Sequence, residues 1–196
     1  RGLRGPPAPR PGGGNPPPAA PPPPGARAAR DQFDVAATIV DLLAGKVPGN
    51  WHGRSFAEPL RRARDDGRAA LVLSHGAWTC QRALRFCQED KELLYIRSYH
   101  DGHHGFPESM LFDLASDPHE QHDLAASESA RVQYALSEID RWLGQRMKDS
   151  PSGVDPMWTV MQEGGPKHTR GELAAYLDRL RQTGRGHWAD VLESRY

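Results

Sequence analysis

Apolar residues recur at helical spacing in three parts of the chain. Residues 33–44 predict a helix that is apolar around much of its surface, and residues 127–147 predict a long amphipathic helix with one apolar stripe. A third stripe runs through residues 173–180, and a short helix over residues 187–194 is predicted to follow it. Because the other residues supply little to cover the first helix, we expect an exposed apolar patch there, through which the chain associates.

Two sequences have the spacing of a capping box, the side-chain pattern that begins many helices. Asp117 is followed three residues later by Glu120, with Pro118 in the first helical position. Thr169 and Glu172 repeat this spacing in front of the third stripe. The pattern therefore predicts that one helix begins near residue 117 and another near residue 169.

Between the first two helical segments, short apolar runs and turn-prone stretches alternate. The runs cover residues 70–74, 81–86, 93–99 and 110–114, and no helical pattern separates them. This spacing is typical of an antiparallel meander. The predicted fold class is α+β: a small antiparallel sheet of about four strands, packed by the long amphipathic helix and preceded by a disordered Pro/Gly-rich segment.

Charge and proline content divide the chain near residue 31. The 196 residues contain 25 basic and 25 acidic side chains, but residues 1–30 hold five arginines, no acid and 11 of the 18 prolines. The remainder is therefore acidic, with a net charge of −5. A segment so poor in apolar residues cannot offset its ordering entropy, and we interpret it as disordered, with polyproline II character. The predicted domains are residues 1–30, a compact domain over 31–148 and a helical C-terminal region over 149–196.

Composition also excludes several classes of protein. No apolar run approaches 18 residues, which argues against a membrane span, and the first residues lack the apolar centre of a signal peptide. No basic stripe lies outside residues 1–30, so nucleic acid is not the expected partner. Two cysteines are too few for a disulfide scaffold or a four-cysteine zinc site. The compartment is left open by these features.

Histidines form the densest group of chemically versatile side chains. Five of the nine lie within residues 100–122, and His100, His103 and His104 share one short segment. Imidazole is a ligand for zinc or copper, so a metal site is one interpretation. A polar loop that lines a neighbouring cleft and a solvated surface loop are the other two. The sequence provides no further ligand that favours the metal.

Cys80, Cys87 and Arg82 are the remaining candidates for chemistry. Arg82 lies close to Cys80 and has the charge to stabilise a thiolate, but a buried structural cysteine is the simpler interpretation, for Cys87 as well. Arg82 itself is suited either to an anionic ligand or to an ion pair with one of the acids. The sequence contains no phosphate-binding loop, nucleophile elbow or zinc-protease motif.

Four segments together resemble the C-terminal part of a sulfatase of the alkaline-phosphatase superfamily, the formylglycine-dependent type. Residues 34–42 are similar to the family's D-x-x-P-T-x-x-D-L helix, with Ala37 in place of proline. The turn that follows, residues 52–56, is similar to D-G-x-S-L, with His52 in place of aspartate. Residues 83–97 look like the R-A-V-R … K-Y-I strand pair. The most specific match is residues 111–124, which resemble E-L-Y-D-L-x-x-D-P-x-E-x-x-N-L.

This resemblance implies a hydrolase of sulfate esters whose catalytic residues lie upstream of the matched helix. The family uses a formylglycine, made from Cys or Ser in C/S-x-P-S/A-R, and a divalent cation that is usually calcium. Neither Cys80 nor Cys87 lies in that motif, so no catalytic residue, metal ligand or cofactor is carried over to this chain. We expect a sulfate-ester substrate only in the presence of the missing catalytic domain, and whether this chain is itself an enzyme is left open.

The family's C-terminal subdomain helps to shape the rim of the substrate pocket. By that analogy, the candidates for the rim are Trp78, Arg82, His100, His103 and His104. Two alternatives to a sulfatase fragment stay open at this point. One is the C-terminal part of a phosphonate or phosphate monoester hydrolase of the same superfamily, and the other is a binding module without enzymatic activity.

Overall fold

A computed structural model describes residues 29–62, 67–89 and 91–196. The prediction of disorder over residues 1–30 therefore lies almost wholly outside the described residues. The helices are α1 (Gln32–Leu42), α2 (Ala57–Arg61), α3 (Ser129–Asp149), α4 (Pro156–Gln162), α5 (Leu173–Gln182) and α6 (Gly186–Glu193), with a 3₁₀ turn at Lys167–Thr169. The strands are β1 (Ala70–His75), β2 (Cys80–Gln88), β3 (Lys91–His100) and β4 (Ser109–Asp113).

The four strands form one antiparallel sheet in the order β1-β2-β3-β4, which confirms the predicted meander. Alternate residues of the central strands face α3, as the period of two in a strand requires. Leu84, Tyr95 and Leu111 lie opposite one another on adjacent strands and are almost fully buried. Val132, Ala135 and Ile139 from α3 complete this core. The α+β class and the long helix across the sheet are thus confirmed.

The C-terminal region forms a second, smaller core. Helices α5 and α6 pack against each other through Leu177, Leu180, Ala189 and Leu192, which are all buried. The predicted stripe in residues 173–180 is the side of α5 that faces α6. Among the residues that the structure describes, no helix is both long enough and apolar enough to span a membrane.

Neither predicted capping box begins a helix. The Asp117 carboxylate accepts a hydrogen bond from the backbone N–H of His122 at 2.7 Å, and Glu120 has a positive φ of 55°, so the chain closes a loop. Helix α3 begins only at Ser129. Similarly, the Thr169 hydroxyl donates to the carbonyls of Gly164 and Pro166, at 3.2 and 2.8 Å, and α5 begins only at Leu173, without a side-chain cap. In both segments a local turn competes successfully for the polar side chain.

Helix α1 is anchored by its polar side chains. Asp31 and Asp34 form a reciprocal capping box at its start. Three side chains of the helix then bond the following turn: Asp34 accepts from the Arg54 N–H at 2.7 Å, Thr38 from the Phe56 N–H at 3.0 Å, and Asp41 from the Ser55 hydroxyl at 2.5 Å. Gly53 lies against α1, and a side chain there would begin 2.1 Å from the Phe33 carbonyl oxygen.

The apolar face of α1 is exposed, as its pattern predicts. Phe33 is 68% exposed and Leu43 77%, and Val35, Ile39 and Leu42 are about half exposed. No other part of the described chain covers this face. Val35, Ile39, Leu42 and Leu43 share one side of the helix and form an apolar patch of the kind that promotes association in water, whereas Phe33 lies on a different side, beside Trp51 and His52.

Asp34 carries the buried charge that holds this end of the domain. Its carboxylate is paired with the Arg68 guanidinium, one nitrogen of which lies 2.5 Å from Oδ1. Burial alone raises the pKa of Asp34, but the hydrogen bonds from Arg68 and from the backbone of Arg54 and Asp31 outweigh it and lower the pKa to about 2.

Replacing Arg68 by glutamine is expected to destabilise the fold by about 3 kcal/mol, because it leaves the Asp34 carboxylate buried without its counter-charge. Urea unfolding at pH 7 measures this loss. Arg62→Gln is the matched control: Arg62 pairs with Glu58 at 2.5 Å, but both side chains are more than half exposed, and the expected change is within about 0.5 kcal/mol. Equal losses in the two variants would contradict the assignment.

Candidate functional site

The histidine segment is a tight loop between β3 and β4, folded around the carboxylate of Asp101. Asp101 is only 4% exposed, and its two oxygens accept hydrogen bonds from the backbone N–H groups of His103 and Gly105, both at 2.9 Å. Gly102 has a φ of 67°, and a side chain there would begin 2.0 Å from the carbonyl oxygen of Trp78. Glycine is therefore required at residue 102 by both conformation and space.

The last two residues of the chain complete the surroundings of Asp101. An Arg195 guanidinium nitrogen lies 2.7 Å from Oδ2, and the Tyr196 hydroxyl donates to Oδ1. Burial raises the pKa of Asp101, but these bonds and those from the loop backbone outweigh it and lower the pKa. In turn, burial and the neighbouring carboxylate raise the pKa of Tyr196. The carboxylate is thus ionised and ties α6 to the histidine loop.

The rings of His100 and His103 both pack against that of Tyr196. The ring centre of Tyr196 lies 5.3 Å from that of His100 and 4.9 Å from that of His103. Burial lowers the pKa of both histidines. Repulsion from the neighbouring histidines, His100 above all, lowers the pKa of His103 further. His100 Nδ1 accepts the Gly102 N–H at 3.0 Å, which leaves the proton of the neutral ring on Nε2.

The outer side of the loop faces an open cleft of about 740 Å³, which we call the histidine cleft. One wall is Trp78, which is 63% exposed, with His103 and His104 beside it. The His168 ring lies 5.2 Å from that of Trp78 and 5.8 Å from that of His104. His168 is held in place by a contact of 3.0 Å between Nε2 and the Gly102 carbonyl oxygen.

Helix α5 and the turn before it supply the opposite wall. This wall is lined by Lys167, Glu172, Tyr176 and Arg179, and so it carries two cations and one carboxylate. Within the described part of the chain, none of these three charged groups forms an ion pair. The cleft therefore combines an exposed aromatic face, several imidazoles and a net positive charge. Such a surface is suited to a ligand that has a flat or ring-shaped body and an anionic group.

Three of the five residues that the sequence singles out line this cleft: Trp78, His103 and His104. His100 lies behind the loop, where it supports the loop and does not face the cleft. Arg82 is 5% exposed and pairs with Asp155, the residue that caps α4, at 2.6 Å. This contact is the ion pair that the sequence left open as the alternative to a ligand.

The wall formed by α5 was missed by the sequence reasoning, although the chain does carry a signal for it. Tyr176 belongs to the predicted apolar stripe of residues 173, 176, 177 and 180, and Glu172, Ala175 and Arg179 lie next to that stripe on the same helix. Glu172 was expected only as part of a capping box and Arg179 is charged, so apolar periodicity does not indicate that this side of the helix lines a cleft. His168 and Lys167 gave no signal, because only the folding of the chain after α4 brings them to Trp78.

The described residues do not fit the calcium and formylglycine of the sulfatase family. No group of three or more His, Cys, Asp or Glu side chains among them is arranged to hold a metal ion. Both cysteines are buried free thiols of β2. Burial raises the pKa of each, which disfavours the reactive thiolate. The histidine cleft itself contains no cysteine or serine nucleophile.

Comparison with known proteins finds similarity only among solved structures. No family model and no curated protein matches the chain. A structure of BT4656 with its substrate D-glucosamine-2-N,6-O-disulfate shares 18% identity over 60% of this chain and 24% of that one, with a TM-score of 0.47. The yidJ protein of Bacteroides fragilis, which is assigned to the sulfatases, shares 17% over 63% and 25%, with a TM-score of 0.44. The chain thus spans about a quarter of the length of these structures.

The hydrogen bond from the Tyr196 hydroxyl to the buried Asp101 carboxylate can be tested by a substitution that removes only the hydroxyl group. Tyr196→Phe is expected to lower the free energy of unfolding by about 2 kcal/mol, because a hydrogen bond to an ionised group is lost. Tyr134→Phe is the matched control, since Tyr134 is a half-buried core residue whose ring contacts Phe86. Its expected change is within about 0.5 kcal/mol. If urea unfolding shows no difference between the two variants, the hydroxyl does not hold the loop.

Acid is expected to weaken the histidine loop. Because the pKa values of His100 and His103 in the folded chain lie below the ordinary 6.5, the unfolded chain binds more protons as the pH falls below about 6.5, and the free energy of unfolding decreases. Nearby Asp101 opposes this shift without reversing it. Measured between pH 7.5 and 5.5, the decrease should be smaller in His100→Gln, whereas His119→Gln, in an exposed loop, should keep it. An unchanged decrease in His100→Gln would contradict the prediction.

Proposed function

We propose that the chain is the C-terminal subdomain of a sulfuric ester hydrolase, that it is inactive by itself, and that the histidine cleft forms part of the rim of the substrate pocket. The main support for the family assignment is a set of contacts between two motifs. The residues that match the family's first two motifs contact one another: Asp34 and Arg54, Thr38 and Phe56, and Asp41 and Ser55. A match between two stretches of sequence is stronger when the matched positions make mutual bonds.

The segment of residues 111–124 supports the same assignment. Its Asp123 carboxylate accepts from the N–H of Leu111 at 2.9 Å, and the Leu124 N–H donates to the Leu111 carbonyl at 2.7 Å. The two ends of the motif are therefore bonded to each other across the loop. Asp117 and Asp123 each accept backbone N–H groups within this segment, so the motif supports the family and assigns no catalytic residue.

The cleft supports the finer part of the proposal. Trp78 offers a face on which a sugar or aryl ring can lie, while Lys167 and Arg179 favour an anionic substituent. The chain's own residues would bind and orient such a substrate and exclude water from one side of it. Hydrolysis would require the formylglycine and the cation of the family, for which this sequence has no matching motif.

The proposal predicts binding without turnover. The purified chain, with an aryl sulfate and calcium, should release no more product than a heat-denatured sample. Calorimetry with a sulfated monosaccharide should show binding that its unsulfated counterpart lacks, since the two cations act on the sulfate group. Trp78→Ala should weaken this binding roughly tenfold, equivalent to about 1.4 kcal/mol.

Trp158→Ala is the matched control, because Trp158 is also about half exposed but lies outside the cleft. Turnover above the denatured sample would contradict the inactivity. Equal affinity for the sulfated and unsulfated sugars would contradict the rim assignment. Tighter binding of a phosphonate ester than of the matching sulfate ester would favour the phosphonate or phosphate monoester hydrolases of the same superfamily instead.

A further inference from the structure

A second concave site, which shares no lining residue with the histidine cleft, lies between α1, β1 and the C-terminal half of α3. It is a cavity of about 300 Å³, and we call it the arginine cavity because Arg54, Arg68, Arg141 and Arg146 all line it. The four residues come from three separate segments of the chain, and only folding brings them together. Two carboxylates, Asp31 and Glu138, also line the cavity, so the formal charge of its lining is positive.

The arginines differ in what they already contact. Arg68 is paired with Asp34, and Asp31 lies 3.8 Å from it. Arg141 is paired with Glu138, the contact from its Nε being 3.2 Å. Each of these two cations is therefore neutralised by a neighbouring acid of the fold. Arg68 and Arg141 line the cavity, but their charges are already compensated without a ligand.

Arg54 and Arg146 have no such partner in the described part of the chain. Arg54 bonds Asp34 only through its backbone N–H, which leaves its guanidinium without an acid. The Arg146 guanidinium lies over the Trp142 ring at 5.9 Å, and its Nε is buried without a hydrogen-bond acceptor. Two guanidiniums that line one cavity without a neighbouring acid would both stabilise an acceptor placed in it.

We propose that the arginine cavity binds a tetrahedral oxyanion, the phosphate or sulfate group of a small ligand. The guanidiniums of Arg54 and Arg146 have no acid of their own among the described residues, and the several oxygens of one tetrahedral anion can accept from both. Guanidinium also matches the oxygens of phosphate and sulfate by paired hydrogen bonds. This site is separate from the histidine cleft and does not depend on the function proposed for that cleft.

The direct test is calorimetric titration of the full chain with inorganic phosphate and, separately, with sulfate, at constant ionic strength set with chloride. Saturable binding of one anion per chain is expected. Arg54→Gln and Arg146→Gln should each weaken it by roughly tenfold or more. Arg62→Gln, an exposed arginine outside the cavity, is the matched control and should bind as the unaltered chain does.

Two further measurements keep the result interpretable. Trp142 fluorescence should change on titration, because an anion that binds Arg146 alters the cation over that ring, and the change should disappear in Trp142→Phe while calorimetric binding persists. A urea midpoint for each variant shows that it is folded, and Arg54 lies in an exposed position where replacement is tolerated.

Three outcomes would overturn the proposal. One is the absence of saturable binding in the unaltered chain. Another is binding that survives both Arg54→Gln and Arg146→Gln. The third is binding that is lost in Arg179→Gln, because that result would assign the anion to the histidine cleft. It would exclude the arginine cavity as a site but would not contradict the function proposed for the histidine cleft.

Discussion

The charge of a buried carboxylate must be compensated by hydrogen-bond donors. Asp101 obtains its donors from its own loop and from residues about 95 positions later in the chain. The backbone of the histidine loop supplies two N–H groups, and Arg195 and Tyr196 supply a cation and a hydroxyl. The loop can hold its conformation, with positive φ at Gly102 and His103, only while that set is intact. Since the same loop carries one wall of the histidine cleft, the shape of the cleft depends on this one charge.

Buried or partly buried charged pairs also join segments in other parts of the domain. Asp34 with Arg68 and Arg82 with Asp155 each place a charged pair where separate segments meet. Such pairs contribute little net stability compared with apolar packing, but they fix which segments lie together. Among the described residues, the two buried apolar clusters are the sheet against α3 and α5 against α6. The exposed face of α1 belongs to neither.

How far the sequence predicts this structure depends on how local each determinant is. The sheet and the long helix follow from period-two and helical patterns of apolar residues, and both were predicted with nearly correct bounds. The two capping boxes were wrong because Asp117 and Thr169 bond within turns that the pattern does not reveal. Trp78, His103 and His104 were found through a histidine-rich segment and a family resemblance. Lys167, His168 and Arg179 were missed because the tertiary fold alone brings them near Trp78.

The central claim is that the Asp101 contacts hold the histidine loop rigid and so define the cleft. Amide hydrogen exchange, measured by NMR at His103 and Gly105, tests it most directly, because these two N–H groups are the loop's own donors to Asp101. The account predicts that both amides are protected to the same degree as the amides of β3. Exchange as fast as that of the exposed turn at Gly76 would contradict it.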